Sequence, residues 1–162
     1  MRMSAPGLQR LVTEEPLRLT PYNDAAGHAT IGIGHRIHFG PVTQADVNRF
    51  AGFTAKGAVA LLTQDVQSRE RFVGDAVTVA LGQNEFDALV SLVVDIGSGA
   101  FSTSTVLRRL NAGARQAAAD AFLLFVAGGA GPANRRRRER ELFLTPDTPH
   151  AHAHVFLAPS AR

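Results

Sequence analysis

A chain of 162 residues that is 45% hydrophobic suffices for one domain with an ordinary core, or one domain with a small lobe attached. It has no cysteine, which excludes a disulfide framework and any Cys metal site, and no apolar run approaches the ~20 residues that span a bilayer. The formal net charge of +3 is carried almost wholly by arginine, Lys56 being the only lysine, so the chain is drawn to anionic polymers, whether nucleic acid or bacterial wall.

The opening residues, MRMSAPGLQRL, lack the apolar core of a signal peptide, so a target beyond a membrane implies another component for delivery. Residues 4–14 read as a first helix capped by Ser4, with Pro6 and Gly7 in its first turn and Leu8, Leu11 and Val12 at helical spacing. Pro16 stops it. A hairpin follows over about 17–36: Leu17, Leu19 and Tyr22, a turn at Asn23-Asp24, Gly27, the β-branched pair Thr30-Ile31, then Gly32 and Gly34. Residues 36–42 read as a connection broken by Gly40-Pro41, and Thr43 with Asp46 starts a short helix through Phe50.

Thr54 caps the longest helical pattern, running to about Leu81, with Val59, Leu62, Val66 and Val73 on its apolar face and Phe72 alongside. Its stretch 63–71 is polar, as expected of a helix bridging two lobes with an exposed middle, and Gly74 is a place to bend. Asn84 caps a core helix carrying Phe86, Leu89, Val90, Val93 and Val94, ended by Gly97-Ser98-Gly99. A short helix over about 104–111 and another over 115–127 follow, the latter with Ala117, Phe122, Phe125 and Val126 inward. After the turn at 128–132, Asn134 caps an Arg-rich helix to about Leu144, and the remainder reads as an extended tail.

Glu15, Asp24 and Thr30 thus fall at a helix end, a hairpin turn and a strand, which one short hairpin can bring to a single cleft. Two carboxylates with a hydroxyl nearby suit acid/base hydrolysis of a glycosidic bond. The spacing E-x8-D-x5-T sits inside EEPLRLTPYNDAAGHATIGIGH. With L-R-L, Tyr22, Gly27 and T-I-G-I-G-H around it, this stretch resembles the phage-type lysozymes, the endolysin muramidases of tailed bacteriophages. FDALVSLVVDIGSGAF, STVLRRLNAG and GPANRRRRERELF resemble the family's later segments, so the likeness covers roughly 8–144. Departures are Pro16 where Gly commonly follows the acid, Ala29 where Trp or Tyr is common, Asp95 for Asn, Pro132 for Leu, and no Trp near Phe125.

The resemblance implies an α+β, mainly helical fold with a hairpin lobe (about 14–53) and a helical lobe (1–13 and 83–144), joined by a long helix (54–82). Residues 1–144 would form one catalytic domain and 145–162 the tail. It implies a muramidase cleaving the β-1,4 bond between N-acetylmuramic acid and N-acetylglucosamine in peptidoglycan. Glu15 would be the general acid, Asp24 would support charge at the anomeric carbon and activate water, and Thr30 would hold that water. Glu14 is the rival acid, but only Glu15 has the right separation from Asp24 and Thr30. Tyr22, Ile33, Ser98 and Phe101 are candidates for the substrate cleft.

His35 and Asp65 have no evident catalytic task, and a structural ion pair tying hairpin to long helix is the expectation. No cofactor and no metal are expected; His150, His152 and His154 alternate as strand ligands would, but lie in the tail without a cysteine nearby. The run Arg135 to Arg138 reads as a solvated helix face partly neutralised by Glu139 and Glu141, not as a reader of specific nucleic acid. A monomer is expected, residing in the host cytoplasm until a holin-type membrane partner releases it to the periplasm or wall. The rival readings are a basic nucleic-acid-binding protein and an inactive wall-binding or virion structural protein of the same fold.

Overall fold

Local side chains start most of the helices. Ser4 Oγ accepts the Gly7 N–H at 3.0 Å, and Thr54 and Ser104 do the same for Gly57 and Leu107. Thr43 and Asp46 form a reciprocal capping box. The computed structural model describes residues 1–14, 16–126 and 130–147; Glu15, residues 127–129 and those from 148 onward lie outside the described residues. In chain order the elements are α1 (Ala5–Glu14), β1 (Arg18–Asn23), β2 (Ala29–Gly32), β3 (His35–His38), α2 (Gln44–Arg49), α3 (Ala55–Ala76), α4 (Gln83–Ser102), α5 (Thr105–Asn111), α6 (Arg115–Ala121), a 3-10 turn (Phe122–Leu124) and α7 (Ala130–Leu144). The architecture is α+β and mainly helical.

The strands form one antiparallel sheet in the order β1-β2-β3. The third strand corrects the sequence reading, which took 36–42 as a connection. Gly34 turns the chain at φ 71°, and His35, Arg36 and His38 then pair with Ile31, Thr30 and Ala29. A positive φ at a two-residue turn suits glycine, which lacks the Cβ that would clash.

α3 packs against β2 and β3 along part of its length and against α4 along the rest, and so links the sheet to the helices. It ends at Ala76, short of the expected Leu81. The Asn111 side chain closes it from α5: Nδ2 donates to the Ala76 carbonyl at 2.9 Å, and Oδ1 accepts the Thr78 N–H at 2.9 Å. Val77, Val79 and Leu81 still pack on the core, but from beyond the helix end. Gly74 does not interrupt the helix. Two further details of its surface differ from the reading. Val59 is exposed, and the polar middle buries Glu70, whose carboxylate accepts the Met3 N–H at 2.7 Å.

α4 is the central helix. Ala88, Leu89, Val90, Leu92 and Val93 are fully buried, and Phe86 is 1% exposed; each large side chain of this kind contributes about 1.5–3 kcal/mol of burial. Its cap is not Asn84. The Asp147 carboxylate, brought back by α7, accepts the Gln83 and Asn84 N–H groups at 2.7 Å each. A Cβ at Gly82 would stand 2.5 Å from that carboxylate, so a side chain there would push the cap aside. The start of the expected tail, Thr145 to Asp147, is therefore docked. At Gly97 (φ 82°, ψ 156°) the helix breaks, and it resumes to Ser102.

α6 stops at Ala121 and tightens into the 3-10 turn, which leaves Val126 exposed rather than inward. α7 starts at Ala130, before the expected cap at Asn134. Pro132 lies in its first turn, where its missing N–H costs no helix bond.

Candidate active site

Asp24 occupies the β1–β2 turn because its side chain organises that turn. Oδ1 accepts the N–H groups of Ala26 (2.9 Å) and His28 (2.8 Å), and the Asp24 N–H donates to the His28 carbonyl at 2.9 Å. The N–H of His28, foremost, holds the Asp24 carboxyl below the usual carboxylate range. Desolvation opposes this, and the Ala26 N–H and the charges of His28 and Arg36 reinforce it. Arg36 Nη2 on β3 is 3.8 Å from Oδ2.

Thr30 lies on β2 opposite Tyr22 of β1 and Arg36 of β3. It is 3% exposed, and its hydroxyl donates to the same His28 carbonyl at 3.0 Å. The backbone of His28 thus joins Asp24 to Thr30. The His28 ring is fixed in turn: its Nδ1 accepts the Gly40 N–H at 3.1 Å, and its edge meets Phe39.

Glu15 lies outside the described residues; Glu14, directly before it, ends α1. Arg138 Nε donates to Glu14 Oε1 at 2.8 Å, and Arg135 Nε stands 3.7 Å from Oε2. The rival acid is thus taken up by guanidinium groups of α7. His35 Nδ1 and Asp65 Oδ2 are 2.8 Å apart, a direct link from β3 to α3.

The expected cleft residues divide. Tyr22 is half-buried, with the Arg18 guanidinium 4.6 Å from its ring centre, and Ser98 is half-buried just after the Gly97 break. Ile33 and Phe101 are corrections. Ile33 is 4% exposed within the core, and Phe101 is fully buried with its ring against Phe72. The helical turn that resumes after Gly97 carries Phe101 inward.

The arginine run is also a correction. Arg137 and Arg138 are exposed, but Arg135 is 7% exposed and Arg136 is fully buried. Besides Glu14 of α1, their acceptors come from α7 itself and from α4. Glu139, one turn on, is 3.2 Å from Arg135 Nε, 2.9 Å from Arg136 Nη2 and 2.6 Å from the Ser91 hydroxyl of α4. Asp95 of α4 is 3.1 Å from Arg136 Nη2 and 3.7 Å from Arg135 Nη1. A buried guanidinium needs such partners. Glu139 was the only one visible near the run in sequence, because Ser91 and Asp95 lie on another helix. Also missed was His38, whose Nε2 bonds Asp46 Oδ2 at 2.9 Å.

A cavity of about 980 Å³ opens between α1, α4 and α7, lined by Arg10, Thr13, Glu14, Asp87, Glu139 and Thr145 among others. Neither Asp24 nor Thr30 lines it. Among the described residues no group of three His, Cys, Asp or Glu is placed to hold a metal ion; His150, His152 and His154 lie outside them. No single helix among the described residues is long and apolar enough to cross a membrane.

The sequence model of the phage lysozyme family matches residues 12–141. The endolysin of Salmonella phage P22 is 46% identical over 148 residues, spanning 90% of this chain and 99% of the relative. The endolysin of Bacillus phage PZA is 37% identical over 149 residues, spanning 88% of this chain and 55% of the relative. Among solved structures, a P22 lysozyme variant superposes with a TM-score of 0.72 at 43% identity, over 90% of this chain and 99% of that one. The muramidase domain of SpmX from Asticaccaulis excentricus gives 0.75 at 34% identity, over 90% and 99%.

Proposed function

The chain belongs to the phage lysozyme family and is a peptidoglycan-degrading muramidase, a glycoside hydrolase; on that premise we propose that Glu15, Asp24 and Thr30 carry the hydrolysis. The bond cleaved is the β-1,4 link between N-acetylmuramic acid and N-acetylglucosamine. Glu15 gives its proton to the leaving glycosidic oxygen. A water on the other face of the sugar attacks the anomeric carbon and passes a proton to Asp24, so that one C–O bond breaks and one forms. Thr30 holds that water, and the ionised Asp24 offsets positive charge developing on the ring. A water between acid and base is the inverting arrangement, which calls for carboxyl groups roughly 6.5–9.5 Å apart.

The observation that supports this reading is the shared anchor on His28. Two N–H groups keep Asp24 ionised and aimed, and the same residue's carbonyl fixes the Thr30 hydroxyl. A carboxylate kept ionised at neutral pH suits a base or charge stabiliser, which leaves the acid's role to another group. Every group proposed comes from one chain, which supports action as a monomer. Passage from the host cytoplasm to the wall through a holin-type membrane partner is part of the same proposal, supported by the endolysin names of the Salmonella and Bacillus phage relatives.

The test is Glu15→Gln. The amide is nearly isosteric and cannot donate the proton, and the expected loss is about 10²–10⁴-fold. Activity is read as muropeptide release from purified peptidoglycan and as lysis of outer-membrane-permeabilised cells, with folding checked by circular dichroism. Retention of more than about one part in twenty of the wild-type rate would move the acid elsewhere, Glu14 first.

A further inference from the structure

Phe39 directly follows β3 and is 76% exposed, more than any other large hydrophobic side chain among the described residues. The backbone beneath it is pinned. Its carbonyl lies 3.0 Å from His38 Nδ1, and Nε2 of the same ring bonds Asp46. Gly40, the next residue, donates its N–H to His28 Nδ1 at 3.1 Å and accepts the Ala29 N–H at 2.7 Å. The Phe39 ring has two neighbours of its own. The His28 ring meets it at 79° with centres 5.2 Å apart, and the Arg36 guanidinium carbon is 5.0 Å from its centre. Both neighbours reach Asp24: the His28 N–H bonds Oδ1 at 2.8 Å, and Arg36 Nη2 stands 3.8 Å from Oδ2. Arg36 also pairs with Thr30 across β3 and β2, so the two side chains share one face of the sheet, and Phe39 meets Arg36 there.

We propose that Phe39 is a substrate-binding residue of the hydrolysis: its ring is a platform beside Asp24 on which one sugar of the glycan strand rests. The face of an aromatic ring is electron-rich and attracts the polarised C–H bonds of a pyranose, while the sugar's apolar face leaves water. The ring is already held by His28 and Arg36 on a pinned backbone, so little rotamer freedom is lost on binding. The glycan fits better than the peptide stem, because the Arg36 charge faces Asp24 and offers a stem carboxylate little. This inference rests on Asp24 belonging to the hydrolytic site.

The experiment is steady-state hydrolysis of two soluble substrates, glycan strands stripped of their peptide stems and strands that keep them, by wild type, Phe39→Ala, Phe39→Leu, Phe39→Tyr and Asp24→Asn. Phe39→Ala and Phe39→Leu should raise KM about three- to tenfold on both substrates with kcat within about twofold of wild type. Phe39→Tyr keeps the ring and should recover most of the affinity. Melting temperatures of the Phe39 variants should stay within about 2 °C of wild type, since the ring is mostly in water. Phe39→Trp adds a direct reading: the chain has no other tryptophan, and its emission should shift to shorter wavelength on rapid mixing with stripped strands. A wild-type KM for Phe39→Ala, or an emission that does not move, overturns the inference. So does a KM rise confined to strands that keep their stems, which would assign the ring to the peptide, and so does a lower kcat and melting temperature at unchanged KM, which would make Phe39 structural only. If Asp24→Asn is inactive and the Phe39 variants match wild type, this inference alone fails. If Asp24→Asn keeps the wild-type rate, the placement of the hydrolytic site fails and this inference with it.

Discussion

Replacing Gly7 with alanine sets two effects of opposite sign against each other. Gly7 is buried in α1, where alanine would gain about 0.5–1 kcal/mol from helix propensity and a less disordered unfolded chain. Against this, an ideal Cβ at Gly7 would stand 2.6 Å from Asp87 Oδ2 and 2.8 Å from its Cγ. Asp87 is 2% exposed and cannot swing aside freely. Its Oδ1 accepts the Ser4 N–H at 3.0 Å and Gln83 Nε2 at 2.8 Å, and its Oδ2 accepts the Ser4 hydroxyl. Restoring an ordinary contact of 3.4 Å needs a shift of about 0.8 Å, enough to loosen the bonds to Ser4, which itself caps α1.

Hydrogen bonds to a charged group contribute about 1.5–3 kcal/mol each, so the clash wins and the net cost is about 1–2 kcal/mol. At about 2–4 °C per kcal/mol for a chain of this size, the melting temperature should fall by about 2–8 °C. In an Asp87→Ala background the carboxylate is gone and only the flexible Met3 side chain, whose Cγ is 3.0 Å from the ideal Cβ, has to give, so the same Gly7→Ala change should raise the melting temperature by up to about 4 °C. Thermal unfolding followed by far-UV circular dichroism of the four proteins gives the double-mutant cycle. A rise in melting temperature for Gly7→Ala in the wild-type background, or the same sign in both backgrounds, would refute the reasoning.

Asp46→Asn should destabilise the protein more near about pH 5.5 than near about pH 9, within the window set by the ordinary values of the two groups. The Asp46 carboxyl is held at about 2 by the His38 ring, then by the N–H and hydroxyl of Thr43; its contribution is present above 3.8 and lost as pH falls through about 2. His38 is raised by the Phe39 carbonyl and then Asp46, so its contribution is present below 6.5 and lost as pH rises through the raised value. Equal losses at both pH values would dissociate the pair. Asp65→Asn should cost less than about 1 kcal/mol, since both partners of the 2.8 Å contact are partly exposed, and should leave lysis intact. Lost lysis with an unchanged melting temperature would instead assign Asp65 to the reaction. Asp147→Ala should cost about 0.5–2 kcal/mol by uncapping α4, and truncation after Leu144 should do at least as much. Melting curves that coincide with wild type would show the cap to be without weight.

The sequence by itself determined whatever neighbouring residues decide. Asp24 organises a turn with N–H groups two and four residues on, and Thr43, Thr54 and Ser104 cap helices three residues ahead. The hairpin and the spacing of Glu15, Asp24 and Thr30 are local in the same way, which is why the family likeness could be read there. Tertiary structure alone decided the features whose partners lie far along the chain. Asp147 caps a helix that begins 64 residues earlier, and Asn111 closes one that ends 35 residues earlier. Whether Ile33 and Phe101 face a cleft or the core depends on what packs over them. Four consecutive arginines on a helix read as a wet surface until α4 supplies Ser91 and Asp95. A charged side chain is stable in the interior only where acceptors meet it, and those acceptors were contributed by a helix some 40 residues away, beyond the reach of any local pattern.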